Sequence, residues 1–229
     1  MDKTKELKST WDKHASRRNY KTPSLEEIKK SDDFIIKFLL KNKTKGKLLD
    51  AGCGSGGYVT AARIMGFKSV GLDISEQAVN LAKERKERVI LGDMRKMPFK
   101  NKSFDIVTAG GSIEHFPETA QAMEEISRVL KKKGVLIGNV PYKYALLYSL
   151  SRKIQQILGI WKAGYEKPFS KKYFSHLLEK SGFEVLKIET LPIATGKHKI
   201  LSGLLRGLDA PFYNLGVGGG HFYFAARKK

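Results

Sequence analysis

A short apolar segment, Lys47 to Ala51 (KLLDA), runs straight into Gly52-Cys53-Gly54-Ser55-Gly56-Gly57, and a helix-like stretch from Tyr58 to Met65 follows, closed by Gly66. A strand that stops at glycines and hands over to a helix lets backbone approach a ligand closely, with helix N–H groups and the positive dipole end facing it. That one junction predicts an open α/β sheet with a ligand at its carboxyl edge. Gly52, Gly54 and Gly57 also satisfy G-x-G-x-x-G, so a dinucleotide-binding dehydrogenase has to be weighed.

The segments around it alternate between strand-like and helix-like, which suggests a parallel sheet. Ser24 and Glu27 form a capping box ahead of one helix carrying Ile28, Phe34, Ile35, Phe38 and Leu39 at helical spacing. After the glycine junction come a strand Ser69–Asp73, a helix from about Glu76 to Lys86, and a strand Arg88–Gly92 followed by Asp93. A fourth strand, Phe104–Ala109, a helix Glu118–Lys132 and a fifth strand Val135–Val140 complete the run at Pro141. The rhythm then changes. Residues 144–162 read as an amphipathic helical insertion, Ser170–Lys180 as a helix, and Phe183–Thr190 and His221–Ala226 as two last strands. The expected layout is a single domain: an N-terminal cap over 1–46, a cofactor-binding core over 47–141, an insertion or lid over 142–169, and the rest of the sheet over 170–229.

Three acids separate the readings of the glycine loop. Asp50 lies inside the end of the first strand, where it can face a cationic amino group, for which a dehydrogenase has no use. Asp73, about twenty residues beyond the glycines, suits a ribose hydroxyl pair. Asp93, after the third strand, is placed to accept from an adenine amino group, with Met94 as backbone and apolar wall. Each alone is as readily a helix N-cap or a solvated strand end. Three acids at the ends of three successive strands fall where open α/β sheets bind ligands.

Leu48-Leu49-Asp50-Ala51-Gly52-Cys53-Gly54-Ser55-Gly56, Gly71-Leu72-Asp73-Ile74-Ser75, Gly92-Asp93-Met94 and Ser103-Phe104-Asp105-Ile106-Val107 resemble the successive motifs of class I S-adenosylmethionine-dependent methyltransferases, in particular the small-molecule group that includes the ubiquinone and menaquinone biosynthesis enzymes. The resemblance implies a Rossmann-like seven-stranded sheet, mostly parallel with the last strand antiparallel, and helices on both faces. It implies S-adenosylmethionine held by Asp50, Gly52, Gly54 and Gly56 at the methionine moiety, Asp73 at the ribose, and Asp93 and Met94 at the adenine, with Ile74 a further cofactor contact. Gly110-Gly111-Ser112-Ile113-Glu114-His115-Phe116 would lie over the sulfonium. His115 is the candidate base there, the alternative being a histidine that orients the loop.

The acceptor is less constrained. The net charge is +20, yet residues 48–130 hold 11 basic and 11 acidic side chains, whereas residues 131–180 hold 11 against 2. The excess on the flanks suits an anionic partner or a lysine-rich solvated surface equally well. The Asn/Asp-Pro-Pro-aromatic motif of base-amine methylation is replaced by Gly110-Gly111-Ser112-Ile113, which disfavours that chemistry. The favoured acceptor is a small or lipid-like molecule methylated on oxygen or carbon. RNA, and a non-catalytic binding module, are the alternatives. The insertion, with Leu146, Leu150, Ile154 and Ile157 against Lys143, Arg152, Lys153 and Lys162, reads as a lid, a peripheral membrane contact or a helix packed on the sheet. Tyr20, Tyr142 and Tyr165 are candidate substrate walls. The single Cys53, the scattered histidines, a charged N-terminus and the lack of a long apolar run lead us to expect no disulfide, no metal site and a cytoplasmic protein.

Overall fold

The computed structural model describes residues 3–15, 22–31, 33–41, 45–190, 208–209, 211, 215 and 218–229. Three helices come first: α1 (Lys3–Ala15), α2 (Leu25–Lys29) and α3 (Phe34–Lys41). The core then alternates through β1 (Lys47–Ala51), α4 (Gly57–Ile64), β2 (Lys68–Asp73), α5 (Glu76–Glu84), β3 (Val89–Leu91), β4 (Phe104–Gly110), a 3-10 turn at Ile113–His115, α6 (Thr119–Val129) and β5 (Leu130–Pro141). The chain closes with α7 (Leu146–Ile157), α8 (Lys171–Lys180), β6 (Phe183–Thr190) and β7 (His221–Lys228).

The seven strands form one sheet in the order β3-β2-β1-β4-β5-β7-β6. The pairs from β3 through β5 are parallel, and β7 runs antiparallel to both β5 and β6. The expected topology, with only the last strand reversed, is therefore the one observed. Strand order reverses between β1 and β4, and a crevice opens beyond the carboxyl ends of the strands at such a point.

Period-two alternation along the strands explains why both faces are covered. Leu49, Val107 and Leu136 point into a cluster with Met123 and Ile126 of α6 and Phe174 and Leu178 of α8. Their neighbours Leu48, Ile106 and Ile137 point the other way, onto Ile35 and Leu39 of α3 and Ala61 and Ala62 of α4. A strand buried on both faces reads as a continuous apolar run, which is how KLLDA and FDIVTA read.

Two local expectations change. The capping box is present, with Glu27 N–H donating to Ser24 Oγ at 3.2 Å and Ser24 N–H to Glu27 Oε2 at 2.7 Å. The helix it opens is short, however. Asp33 Oδ1 accepts from Ile36 N–H at 2.9 Å and starts a second helix, so the single predicted helix is two. Residues 130–134 join β5 rather than the preceding helix, because Leu130 pairs with Phe104 across a bulge.

Candidate functional site

A cavity of about 330 Å³ lies at the carboxyl ends of β1, β2 and β4, within the range of small-molecule sites. Its floor is the glycine loop, Gly52 to Ser55 with Gly57 and Tyr58. Gly52 has φ +77°, and a Cβ there would lie 2.4 Å from Ser112 Cβ. The loops after β1 and β4 are thus pressed together, and Ser112 Oγ latches them by donating to the Ala51 carbonyl at 2.9 Å. Gly54, at φ +51°, has nothing within 4 Å of where a Cβ would stand, which leaves the loop open toward a ligand. Cys53 is buried, its thiol filling the space over Gly71, and burial pushes its pKa up.

Asp50 is 1% exposed. Its Oδ1 accepts from Thr108 Oγ1 at 2.7 Å, while Oδ2 has no hydrogen-bond partner among the described residues. Burial raises its pKa from 3.8 to about 7. A buried carboxylate oxygen without a partner is matched by a cationic group. Asp50 lies behind the glycine loop and does not itself border the cavity. Asp73 lines the cavity and also builds it. Its Oδ2 accepts from Gly54 N–H at 2.6 Å and its Oδ1 from Ser75 N–H at 2.9 Å, tying the glycine loop to the start of α5. Ile74, Leu72, Gly92 and Met94 supply apolar wall on the same side, and Gly110 borders the cavity from β4.

Of the expected cofactor residues, Asp50, Gly56 and Asp93 do not border the cavity. Gly56 is the left-handed residue that starts α4, at φ 86°. Asp93 chelates Arg95, with Arg95 Nη2 to Oδ2 at 2.6 Å and Arg95 Nε to Oδ1 at 3.1 Å. Arg95 continues to Glu118 Oε2 at 2.7 Å and to Thr4 Oγ1 at 2.9 Å. The acid expected at an adenine amino group is therefore placed as the anchor of an arginine that binds α1 and α6 to the end of β3. Its carboxylate is already satisfied by that fork.

The roof is α1, part of the segment 1–46 expected as an N-terminal cap. Trp11, His14 and Ala15 border the cavity. Asp12 Oδ1 accepts from Ser75 Oγ at 2.7 Å and from Gln77 N–H at 3.2 Å, and Lys8 pairs with Glu76 at 3.1 Å, so α1 is held across the start of α5. A lone tryptophan in a charged segment was the only sequence signal for this contact. Trp11 meets the His115 ring edge-on, with centroids 4.7 Å apart.

His115 borders the cavity and is buried. Its Nδ1 lies 2.7 Å from the Tyr165 carbonyl, which can only accept, so the proton sits on Nδ1 and Nε2 carries the lone pair. Burial lowers its pKa from 6.5 to about 4. The adjacent Glu114 is fully buried, with one oxygen lacking a partner among the described residues, and burial raises its pKa from 4.5 to about 8. Both side chains are neutral near pH 7. Of the tyrosines named as walls, Tyr142 packs in the core, Tyr165 reaches the site through its backbone carbonyl, and Tyr20 lies outside the described residues.

Sheet order, crevice and glycine loop together match the fold of class I S-adenosylmethionine-dependent methyltransferases. Residues 49–138 match the family described as methyltransferase domain. An uncharacterized protein of Methanocaldococcus jannaschii is 35% identical over 156 residues, covering 66% of this chain and 62% of that protein. A demethylmenaquinone methyltransferase of Chlorobaculum tepidum is 35% identical over 98 residues, covering 42% of this chain and 40% of that one. Among solved structures, a chain of the complex between the Haloferax volcanii Trm112 methyltransferase activator and a methyltransferase superposes with TM-score 0.69 at 19% identity, covering 96% of both chains. The chain spans 62% and 40% of the lengths of the two curated relatives. S-adenosylmethionine is the cofactor of this family, and the unpartnered Asp50 oxygen behind the loop and the bare Gly54 within it suit a ligand with a cationic end.

Proposed function

We propose that the chain transfers a methyl group from S-adenosylmethionine to an oxygen or carbon of a small-molecule or lipid-like acceptor. The observation that carries this reading is the Asp50 carboxyl group, buried behind the glycine loop with one oxygen that has no partner among the described residues. S-adenosylmethionine, when bound, supplies an electrophilic methyl group on a sulfonium.

The protein's own part is alignment and exclusion of water. Asp50 holds the amino group of the methionine moiety, with the loop glycines, Gly56 included, shaping the backbone around it. Asp73 keeps lone pairs for the ribose hydroxyls beyond those used by Gly54 and Ser75. Ile74 and Met94 wall the adenine, and Gly110 leaves room beside the reacting centre. His115 offers Nε2 as a hydrogen-bond acceptor to the acceptor's O–H or acidic C–H. With its pKa near 4 it orients such a group and takes a proton only from an acidified one. Trp11 and His14 close the cavity above. The demethylmenaquinone methyltransferase likeness supports a small, apolar acceptor.

The test is isothermal titration with S-adenosylmethionine, followed by transfer from labelled cofactor in a cell extract. Label recovered in the organic-soluble fraction is the expected result. Failure to bind the cofactor overturns the reading. Label in nuclease-sensitive material would replace it with RNA methylation, which the net charge of +20 would then explain. Cofactor binding without transfer would make the chain a binding module.

A further inference from the structure

Helix α7 is docked inside out. Tyr148 and Arg152, one turn apart, face the body of the protein: Tyr148 Oη donates to Glu166 Oε1 at 2.9 Å and Arg152 Nη1 to the same oxygen at 3.2 Å. Tyr148 also meets the ring of His221, at the start of β7. Glu166 itself is nearly buried. About half a turn round the helix, Leu146, Leu150, Ile154 and Ile157 recur at i, i+4, i+8 and i+11 as one stripe. They are 49%, 53%, 47% and 84% exposed. No residue of α7 is buried. The stripe continues past the helix through Leu158 and Ile160, both more than half exposed.

A soluble helix buries its apolar stripe and shows water its polar one. Here the polar stripe is the inner one, held by the Glu166 ion pair. A contiguous exposed apolar row of this kind marks an interaction surface. The charge around it selects the partner. Residues 142–178 hold seven Lys or Arg and a single acid, Glu166, which is turned inward onto Arg152. Lys143, Lys153 and Lys162 are exposed beside the row. A second copy of the chain would set these cations against themselves. An anionic lipid surface accepts both the apolar row and the cations, which is the arrangement of an interfacial amphipathic helix.

We propose that α7 docks the protein on an anionic bilayer, with Leu146, Leu150, Ile154 and Ile157 in the acyl boundary and the neighbouring lysines at the headgroups. The link to the cavity is short, since Glu166, which anchors α7, directly follows Tyr165, whose carbonyl holds His115. The docking surface does not depend on the methyl-transfer reading, and it stands or falls separately.

The experiment is co-sedimentation of the full chain with phosphatidylcholine vesicles, with and without phosphatidylglycerol. Binding to the phosphatidylglycerol vesicles is expected, weakened by salt. The double substitution Leu150→Glu with Ile157→Glu should lower the partition on the order of tenfold or more. Both positions are exposed, so the melting temperature and S-adenosylmethionine titration of the double variant should match the parent, which separates lost docking from lost folding. Absence of sedimentation, or equal sedimentation without phosphatidylglycerol, overturns the proposal. A dimer in ultracentrifugation that Ile157→Glu dissolves would also overturn it, assigning the face to a second copy. RNA retention lost on Lys153→Glu but kept on Ile157→Glu would overturn it in favour of a nucleic-acid surface.

Discussion

Thr108 Oγ1 donates to Asp50 Oδ1 at 2.7 Å across the β1–β4 pair, and it satisfies one oxygen of a carboxyl group whose other oxygen has no partner among the described residues. Asp50 is thus buried with only one of its oxygens satisfied, and burial holds its pKa near 7 rather than 3.8. The folded protein keeps a proton there that the unfolded chain has lost, so stability falls as pH rises from 3.8 toward 7 and stays lower above it. Asp50→Asn should therefore raise the melting temperature of the ligand-free protein at pH 8, by about 1 kcal/mol or more of stability, while S-adenosylmethionine affinity falls at least tenfold. Thermal denaturation and titration on the same samples check the opposite signs. A variant both less stable and unimpaired in binding would remove Asp50 from the site.

Asp73 and Asp93 end neighbouring strands, yet the structure gives them different work. Asp73 receives the N–H groups of Gly54 and Ser75 inside the cavity wall, whereas Asp93 holds Arg95 outside it. Asp73→Ala should cost about 1 to 3 kcal/mol of stability and weaken cofactor binding by more than tenfold. Asp93→Ala should destabilise the protein through the Arg95 link to Thr4 and Glu118, with a smaller loss of affinity. Calorimetric Kd values for the two variants decide it, and equal losses would return Asp93 to the cofactor.

Trp11 roofs the cavity and abuts His115. Trp11→Ala should open the cavity to water and weaken S-adenosylmethionine binding on the order of tenfold, about 1.4 kcal/mol, while the sheet is untouched. Tryptophan fluorescence on titration should show a change in the parent that is lost in the variant, leaving only the response of Trp161.

His115 should remain neutral across the physiological range. Its pKa, lowered by burial to about 4, means that the unfolded chain takes up a proton that the folded protein refuses. Stability should then decline as pH drops below 6.5, and His115→Gln should lessen that decline. In an NMR titration the resonance that disappears in His115→Gln should stay flat from neutral pH down to about pH 5.5. An inflection near 6.5 would show a solvated imidazole and restore it as an ordinary base.

The covalent order of residues was enough for the sheet, the crevice and the glycine turn at its floor. Alternating Leu48-Leu49 and Ile106-Val107 announce strands covered on both faces, and the glycines after Asp50 admit only a close turn into a helix, because these are local rules of backbone geometry and burial. Tertiary structure alone decided the rest. Asp33 caps a second helix where periodicity ran on unbroken, since a side-chain oxygen can claim an N–H that spacing cannot foresee. Asp93 is claimed by Arg95, and Trp11 reaches His115 across 104 positions, because contact between distant elements is set by how they pack and not by their spacing. The amphipathic pattern of residues 146–157 foretold a helix with two faces. Only its docking through Tyr148, Arg152 and Glu166 fixed which face turns outward, because a buried ion pair can hold the polar stripe inward against the preference that hydrophobic burial would impose.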